Sequence, residues 1–390
     1  PLAYAIDWGD GQTTTVSGPA GGTTRSHVYA DFGDYSVTVT AADKDGGTSL
    51  VNSHSFVIDT AASVVIDADD FGPNEDNAIV VRREVDNVVV TVDGLVVLDT
   101  AMAGLTGGLA IDGAAGNDIL TVEFSGGDPI PVGGLNFDGG EPASGPPGDA
   151  MVLDQETWSG SFHTITHTLL NESDGSISLD PDGPGGDPAS TISYTGLEPV
   201  SDNLGAVDRI FTFQAGPETI TLQDIADVGG NQMQIDSDVG SETVQFANPS
   251  GSLTINAGSG DDIVTVASVD PAFNASLIIN GDEGNDTVNL NGDITFASGN
   301  YLDVDLTDDA WAGDADRITV GAGANLVLSG SGTATLKASR NVALASGSSV
   351  EVVDGNLTVE ANQQATPTAG NFVGVDVNNG LLQSTGTGVV

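Results

Sequence analysis

The sequence predicts an all-β protein, an antiparallel sandwich unit followed by a solenoid of stacked parallel coils. Three observations carry this. Short runs of alternating apolar and polar residues recur along the chain, the period of a half-buried strand. Gly, Asp and Asn bound these runs, and 53 of the 390 residues are glycine, so turns are frequent. No apolar pattern of period 3.6 reaches helical length.

Composition narrows function before any motif does. There are 56 acidic and 8 basic residues, a formal net charge of −48. Phosphate binding needs clustered Lys and Arg, so nucleic acid and anionic membrane surfaces are excluded as partners. A chain this acidic repels itself at low ionic strength, which fits a salty medium, bound cations or simple solubility. Cysteine is absent, which removes disulfides, thiolate metal sites and cysteine nucleophiles. No apolar run reaches the roughly 18 residues of a membrane span, and no signal peptide opens the sequence.

Residues 1–60 form the first unit. "YAIDWGDGQTTTV" reads as strand, Gly-Asp-Gly turn and strand. "SHVYADFGDYSVTVTAADKDGG" gives a short strand, a turn from Asp31 to Gly33, and an alternation placing Tyr35, Val37, Val39 and Ala41 on one face. "TSLVNSHSFVID" closes the unit. Trp8-Gly9-Asp10-Gly11, His27-x-Tyr29 and Gly33-x-Tyr35-x-Val37-x-Val39, followed by Asp43 to Gly47, resemble the PKD (polycystic-kidney-disease-type) immunoglobulin-like domain. The resemblance implies an Ig-like sandwich. That family has a further strand before the tryptophan segment, so the sandwich is expected to be partial, lacking its first strand.

Residues 61–108 read as linking or capping strands. "NAIVVRREVDNVVVTVDGLVVLD" alternates strongly and carries turn signals at Asp86-Asn87 and Asp93-Gly94.

From 109 to 390 a loose repeat predicts a right-handed parallel β-helix. Similar segments begin at Leu109 and Leu135, 26 residues apart, and at Leu253, Leu277 and Leu302, 24 and 25 residues apart. A strand, a Gly/Asp loop and another strand at this period is one solenoid coil. Residues 161 to 250 read as further coils with longer loops, with "DPDGPGGDPAS" (180 to 190) projecting from the stack. After residue 320, "NLVLSGSG", "NVALASGS" and "NLTVEANQ" resemble the β-helical stalks of filamentous-haemagglutinin-like surface proteins.

The Gly/Asp loops are the candidate site. Gly113 to Asp118 and Gly281 to Asp286 share Gly-x-x-Gly-x-Asp; Gly258 to Asp262 is a shorter copy and Gly148-Asp149 a degenerate one. Glycine permits positive φ, and aspartate supplies the hard oxygens that calcium takes six to eight at a time. The pattern resembles the repeats-in-toxin calcium motif, which implies Asp118, Asp262 and Asp286 as carboxylate ligands, with Asn117, Asp261, Asp282 and Asn285 as neighbouring oxygen donors. In that family the motif recurs every nine residues; here copies lie 24 or more apart, so ions are shared only if coils stack their loops in register. The alternative is a tight turn stabilised by Asn and Asp side chains.

Other candidates are weaker. His163 and His167 have the spacing of zinc ligands on a helix, but Thr164, Ile165 and Thr166 favour a strand, where the pair spans about 13 Å. Lyases need a basic residue to take a proton, and Arg209, Arg317, Lys337 and Arg340 do not recur at a coil period. Trp158 and Trp311 are sugar platforms or packing residues.

These parts resemble those of giant bacterial secreted surface proteins. The expectation is a non-enzymatic extracellular structural or adhesive protein: a stalk, filament or surface-layer component, with Ca2+ in its loops. Its expected partners are a second copy head to tail, flanking parts of a larger polypeptide, or polysaccharide. The alternatives are a β-helical polysaccharide lyase or hydrolase and an array of carbohydrate-binding modules.

Overall fold

The computed structural model describes residues 2–20, 25, 27, 33–49, 51–58, 64–71, 76–142, 148–214, 216–225, 231–238, 241–307, 315–362 and 374–390. Tyr29, Asp31 and Trp311 lie outside them. Among the described residues the regular structure is β throughout, apart from two 3₁₀ turns at Ala68–Asp70 and Met102–Gly104.

The N-terminal unit is one antiparallel four-stranded sheet. Leu2–Asp7 lies between Thr13–Gly18 and Gly33–Ala42, and Asn52–Ile58 pairs outside the latter. The turn after Leu2–Asp7 places Gly9 at φ 83°, with the backbone of Ser36 packed against its Cα. A side chain there would be strained and would clash. Trp8 is buried, donates Nε1–H to Thr14 Oγ1 (2.9 Å) and stacks on His27 at 4.6 Å between ring centroids. His27 Nε2 in turn lies 2.7 Å from Asp10 Oδ2. Three residues quoted from the sequence thus pack as one group.

The solenoid's sheets begin at Val64, earlier than residue 109. Val64–Asp67 pairs in parallel with Leu109–Asp112 at the edge of a 12-stranded sheet, and Ala78–Glu84 pairs in parallel with Ile119–Glu123 in a 14-stranded sheet. The segment expected to link or cap supplies these outermost strands. Asn87–Val92 and Leu95–Ala101 extend the 14-stranded sheet outward as an antiparallel meander. Fourteen strands at about 4.8 Å stack to roughly 60 Å.

Parallel register follows the predicted repeat. Leu109 sits against Leu135, and Leu253 against Leu277, itself against Leu302. The inward positions form like-on-like columns: Ile255, Ile279, Val304 and Leu336 on one sheet, Val266, Leu290, Val320 and Leu344 on the other. One continuous buried core runs from Ile66 to Leu357. Aliphatic columns fit because each strand presents the same face one step along the axis.

A further, four-stranded sheet appears from Ile294–Phe296 onward. Asn325–Leu328 belongs to this sheet, Asn341–Leu344 to the 14-stranded one and Leu357–Ala361 to the 12-stranded one. The three late segments therefore lie on three different sides of the solenoid.

Residues 161–250 differ from the expected plain coils. Phe162–Leu169, Gly175–Asp180 and Ser190–Thr195 form an antiparallel meander inside the 12-stranded sheet, and Thr219–Asp224, Gln232–Ser237 and Ser241–Ala247 form another inside the 14-stranded one. The reason is loop length. Leu169 and Gly175 are joined by a tight turn in which Asn171 Oδ1 accepts the N–H groups of Ser173 and Asp174. Such a turn permits a hairpin, whereas a parallel return needs about a dozen residues or more. The 180–190 segment is the second hairpin loop of that meander. In both meanders the last strand pairs in parallel with the preceding coil and the first with the following one, so coil stacking continues through them.

Candidate functional site

The Gly/Asp loops converge on one corner, where the chain enters the 14-stranded sheet. Asn77, Asp118, Asp149, Glu218, Asp262, Asp286 and Asp316 stand at or just before the first residue of seven of its strands. Pairing registers place them side by side in two columns, Asn77-Asp118-Asp149 and Glu218-Asp262-Asp286-Asp316. All seven are at most 2 % exposed, an unusual depth for carboxylates.

Each column is a hydrogen-bonded ladder. Asp118 Oδ1 accepts the N–H of Asn77 (2.7 Å), and Asp149 Oδ1 that of Asp118 (2.7 Å). Asp262 Oδ1 accepts from Glu218 N–H (2.8 Å), Asp286 Oδ1 from Asp262 N–H (2.9 Å) and Asp316 Oδ1 from Asp286 N–H (2.8 Å). Ser339 Oγ ends the second ladder by accepting from Asp316 N–H (2.9 Å). Every rung joins one coil to the next and satisfies a buried corner N–H outside the strand pairing.

A second set of bonds runs the opposite way on the solvent side. Asn117 N–H donates to Asp76 Oδ1 (2.8 Å), and Asn285 donates its N–H and its Nδ2–H to Asp261 Oδ1, both at 2.9 Å. These bonds hold the exposed Asp261 carboxyl below its usual value. Asp282 is exposed at the turn, with φ 62°.

The glycines of the motif make room for the ladder. A Cβ on Gly113 would lie 2.7 Å from Asp118 Oδ2, and one on Gly139 2.7 Å from Asp149 Oδ2; Gly281 packs against Asp286 Oδ2 in the same way.

Among the described residues, the charged groups beside Asp118, Asp149 and Asp262 are carboxyls. Burial pushes Asp118 up to about 7, against the Asn77 N–H bond, and Asp149 adds to the rise. Burial likewise takes Asp262 up to about 6, with Asp261 and Asp282 contributing. Asp149 is raised for the same reason. Asp118 Oδ2, Asp149 Oδ2 and Asp262 Oδ2 are buried with no hydrogen-bond partner.

Among the described residues, no three His, Asp or Glu side chains are grouped to hold a metal ion. Asp118, Asp262 and Asp286 each commit one oxygen to a backbone N–H, and Asp261 is bonded to Asn285. Calcium requires six to eight oxygens around one point.

A different buried charge group sits in the core. His167, Asp202 and Arg209 are each 0 % exposed. Asp202 Oδ2 lies 2.9 Å from His167 Nε2 and also accepts from the Arg209 guanidinium, which donates further to Leu204 O and to Ala247 O (2.9 Å). His167 stacks on Phe211, and Arg209 lies over Phe246. Burial alone would raise the Asp202 carboxyl, but the Arg209 charge and the His167 bond outweigh it and hold it well below the carboxylate range. Burial keeps the His167 imidazole below its usual value despite Asp202.

The remaining candidates separate. His163, half-buried, lies 3.0 Å from Thr164 Oγ1, and its sequence partner His167 is committed to Asp202. Trp158 packs against Phe124 and Phe162, a core role. A shallow groove of about 350 Å³ opens on the 12-stranded sheet, lined by Val65, Asp112, Asn136, Asp138, Ser193 and Thr195. The Gly/Asp motif does not include Asn77, Glu218 and Asp316, although each directly precedes an alternating strand as Asp118 does. Nor does it include Arg209 and Asp202. Arg209 lies two residues from Phe211 and four from Phe213, so period two places it inward with them.

Comparison with family models, curated proteins and solved structures finds no match for the chain.

Proposed function

We propose that the chain is a structural or adhesive component of the cell exterior, a stalk or spacer that does no chemistry of its own. One observation carries this reading. The interior polar groups are spent on holding coil to coil, through the corner ladders and the His167-Asp202-Arg209 group, within a single core from Ile66 to Leu357. Lengthwise hydrogen bonding suits a rod that bears load. The acidic surface suits a crowded, salty exterior. The N-terminal sheet, with Trp8, His27 and Asp10 packed together, supports a PKD-like module preceding the rod.

The edge strand Leu95–Ala101, with Leu95 and Val96 exposed, is the surface on which a second copy or flanking polypeptide would add. Light scattering tests that: growth with concentration supports it, and a concentration-independent monomer removes it.

The second reading is carbohydrate binding. The groove favours it, because Asp112, Asn136, Asp138, Ser193 and Thr195 offer a row of hydrogen-bonding groups beside apolar Val65. The deciding experiment incubates the purified chain with acidic and neutral polysaccharides. Stable polymer with no chain shortening is the expected result. Turnover that is lost on replacing one acidic residue would overturn the structural reading.

A further inference from the structure

We propose that the corner carboxyls of Asp118, Asp149 and Asp262 are ion-free latches that fix the register of successive coils, each through one oxygen that accepts a neighbouring N–H, an arrangement that favours the neutral carboxyl. The inference replaces the calcium role that the Gly-x-x-Gly-x-Asp pattern implies, and it does not depend on the proposed extracellular role.

Four observations converge. The first is that the last rung is closed by a neutral acceptor, Ser339 Oγ taking the Asp316 N–H where the other rungs use a carboxyl oxygen. Calcium takes carboxylate, amide and backbone oxygens but needs six to eight of them, whereas a latch needs only one acceptor and an N–H. The second is the geometry of the rung. Oδ1 accepts one N–H from the neighbouring coil, while the Oδ2 of Asp118, Asp149 and Asp262 meets no donor. A bare buried carboxylate oxygen carries the cost of an unpaired charge, and protonation lowers that cost to that of a neutral hydroxyl. The third is the surroundings. Among the described residues, the titratable and polar groups facing Asp118 are Asn77, Asp149 and Asp69, and those facing Asp149 are Asp118, Asp138 and Asp76. Asp262 faces Glu218, Asp261 and Asp282, with Asp286 bonded to its N–H. None of these is a cation. The fourth is that the direction of the Asp118, Asp149 and Asp262 shifts agrees with neutral occupancy.

Register is the property at stake. A carboxyl rung forms when an Asp at the start of one coil's strand meets the corner N–H of the preceding coil. A one-residue slip would withdraw the acceptor and turn every core side chain outward.

The test compares Asp118→Asn and Asp262→Asn with Asp118→Ala and Asp262→Ala, by thermal unfolding at pH 7 and fixed ionic strength, with chelator and with millimolar calcium chloride. The proposal expects the Asn variants to melt at or above the native Tm and the Ala variants several degrees below it. It expects calcium to leave the native Tm unmoved, or to move native and Asn variants equally, which would place any ion elsewhere. Asn variants that melt as low as the Ala variants would overturn it. So would a calcium-induced rise in the native protein that the Asn substitutions abolish. If an Ala variant does not fold, the Asn and calcium comparisons still decide.

Discussion

Asp202 and Asp118 are the same residue at the same burial, 0 % exposed, and their carboxyls are driven in opposite directions. Asp202 sits in the core with Arg209 and His167 bonded to it and is held ionised. Asp118 sits in the corner with a backbone N–H on one oxygen and another carboxyl one strand away, and it is pushed up to about 7. Burial is common to both, so burial does not set the charge; the partner does. One region is an ion pair sealed inside the solenoid, the other a column in which burial favours the neutral form of Asp118, Asp149 and Asp262. The two regions should therefore respond differently to mutation and in opposite senses to pH.

The largest expected effect is in the core group. Asp202→Ala leaves the Arg209 charge buried and unpaired, which costs about 3–5 kcal/mol. Denaturant melts of native and variant protein measure it; a loss within about 0.5 kcal/mol, the range of ordinary surface changes, would remove the ion pair from the account. Replacing Asp202, His167 and Arg209 together by apolar residues of similar volume is expected to cost much less than Asp202→Ala, because no charge is left stranded.

Next come the latches. Asp262→Ala withdraws the acceptor from the buried Glu218 N–H and is expected to cost about 1–3 kcal/mol. Gly281→Ala would press a methyl onto Asp286 Oδ2 and should cost a similar amount, about 1–3 kcal/mol, by overpacking. A Gly281→Ala melt that matches the native one would show that the corner has spare room. The smallest effect is expected on the groove, where Asp112→Asn should stay within about 0.5 kcal/mol. That variant serves as the control for simply lowering the net charge.

Much of the fold is legible in the sequence, and the failures have physical causes. The repeat from Leu253 to Leu277 to Leu302 gives the coil and its register because like residues stack on like. The meanders are hidden, since "HTITHTLLNESDGSISLD" alternates equally well whether its strands run parallel or antiparallel; the short Asn171 to Asp174 turn is the feature that decides. The Gly/Asp loops are found at the right places, but their role depends on which way Asp118 and Asp286 point. Period two extended back one residue from each strand places these aspartates at the corner and adds Asn77, Glu218 and Asp316. Arg209 escapes notice because residue type argues for the surface while its spacing to Phe211 argues for the core.

The central claim is that folding favours the neutral form of the latch carboxyls Asp118 and Asp262. The native pKa of Asp118 and Asp262 lies above the unfolded value, so their stabilising contribution is complete below about pH 4 and is lost as pH rises through about 6 and 7. Asp202, with a lowered pKa, acts in the opposite sense, its contribution being lost only as pH falls below the ordinary carboxylate range. The direct measurement is the stability of the native protein against an Asp118→Asn, Asp262→Asn double variant from pH 4 to pH 8 at constant ionic strength. The account predicts curves that lie close together near pH 4, separate steadily up to about pH 7 with the variant the more stable, and run parallel above it. A native protein that gains on the variant as pH rises would contradict it.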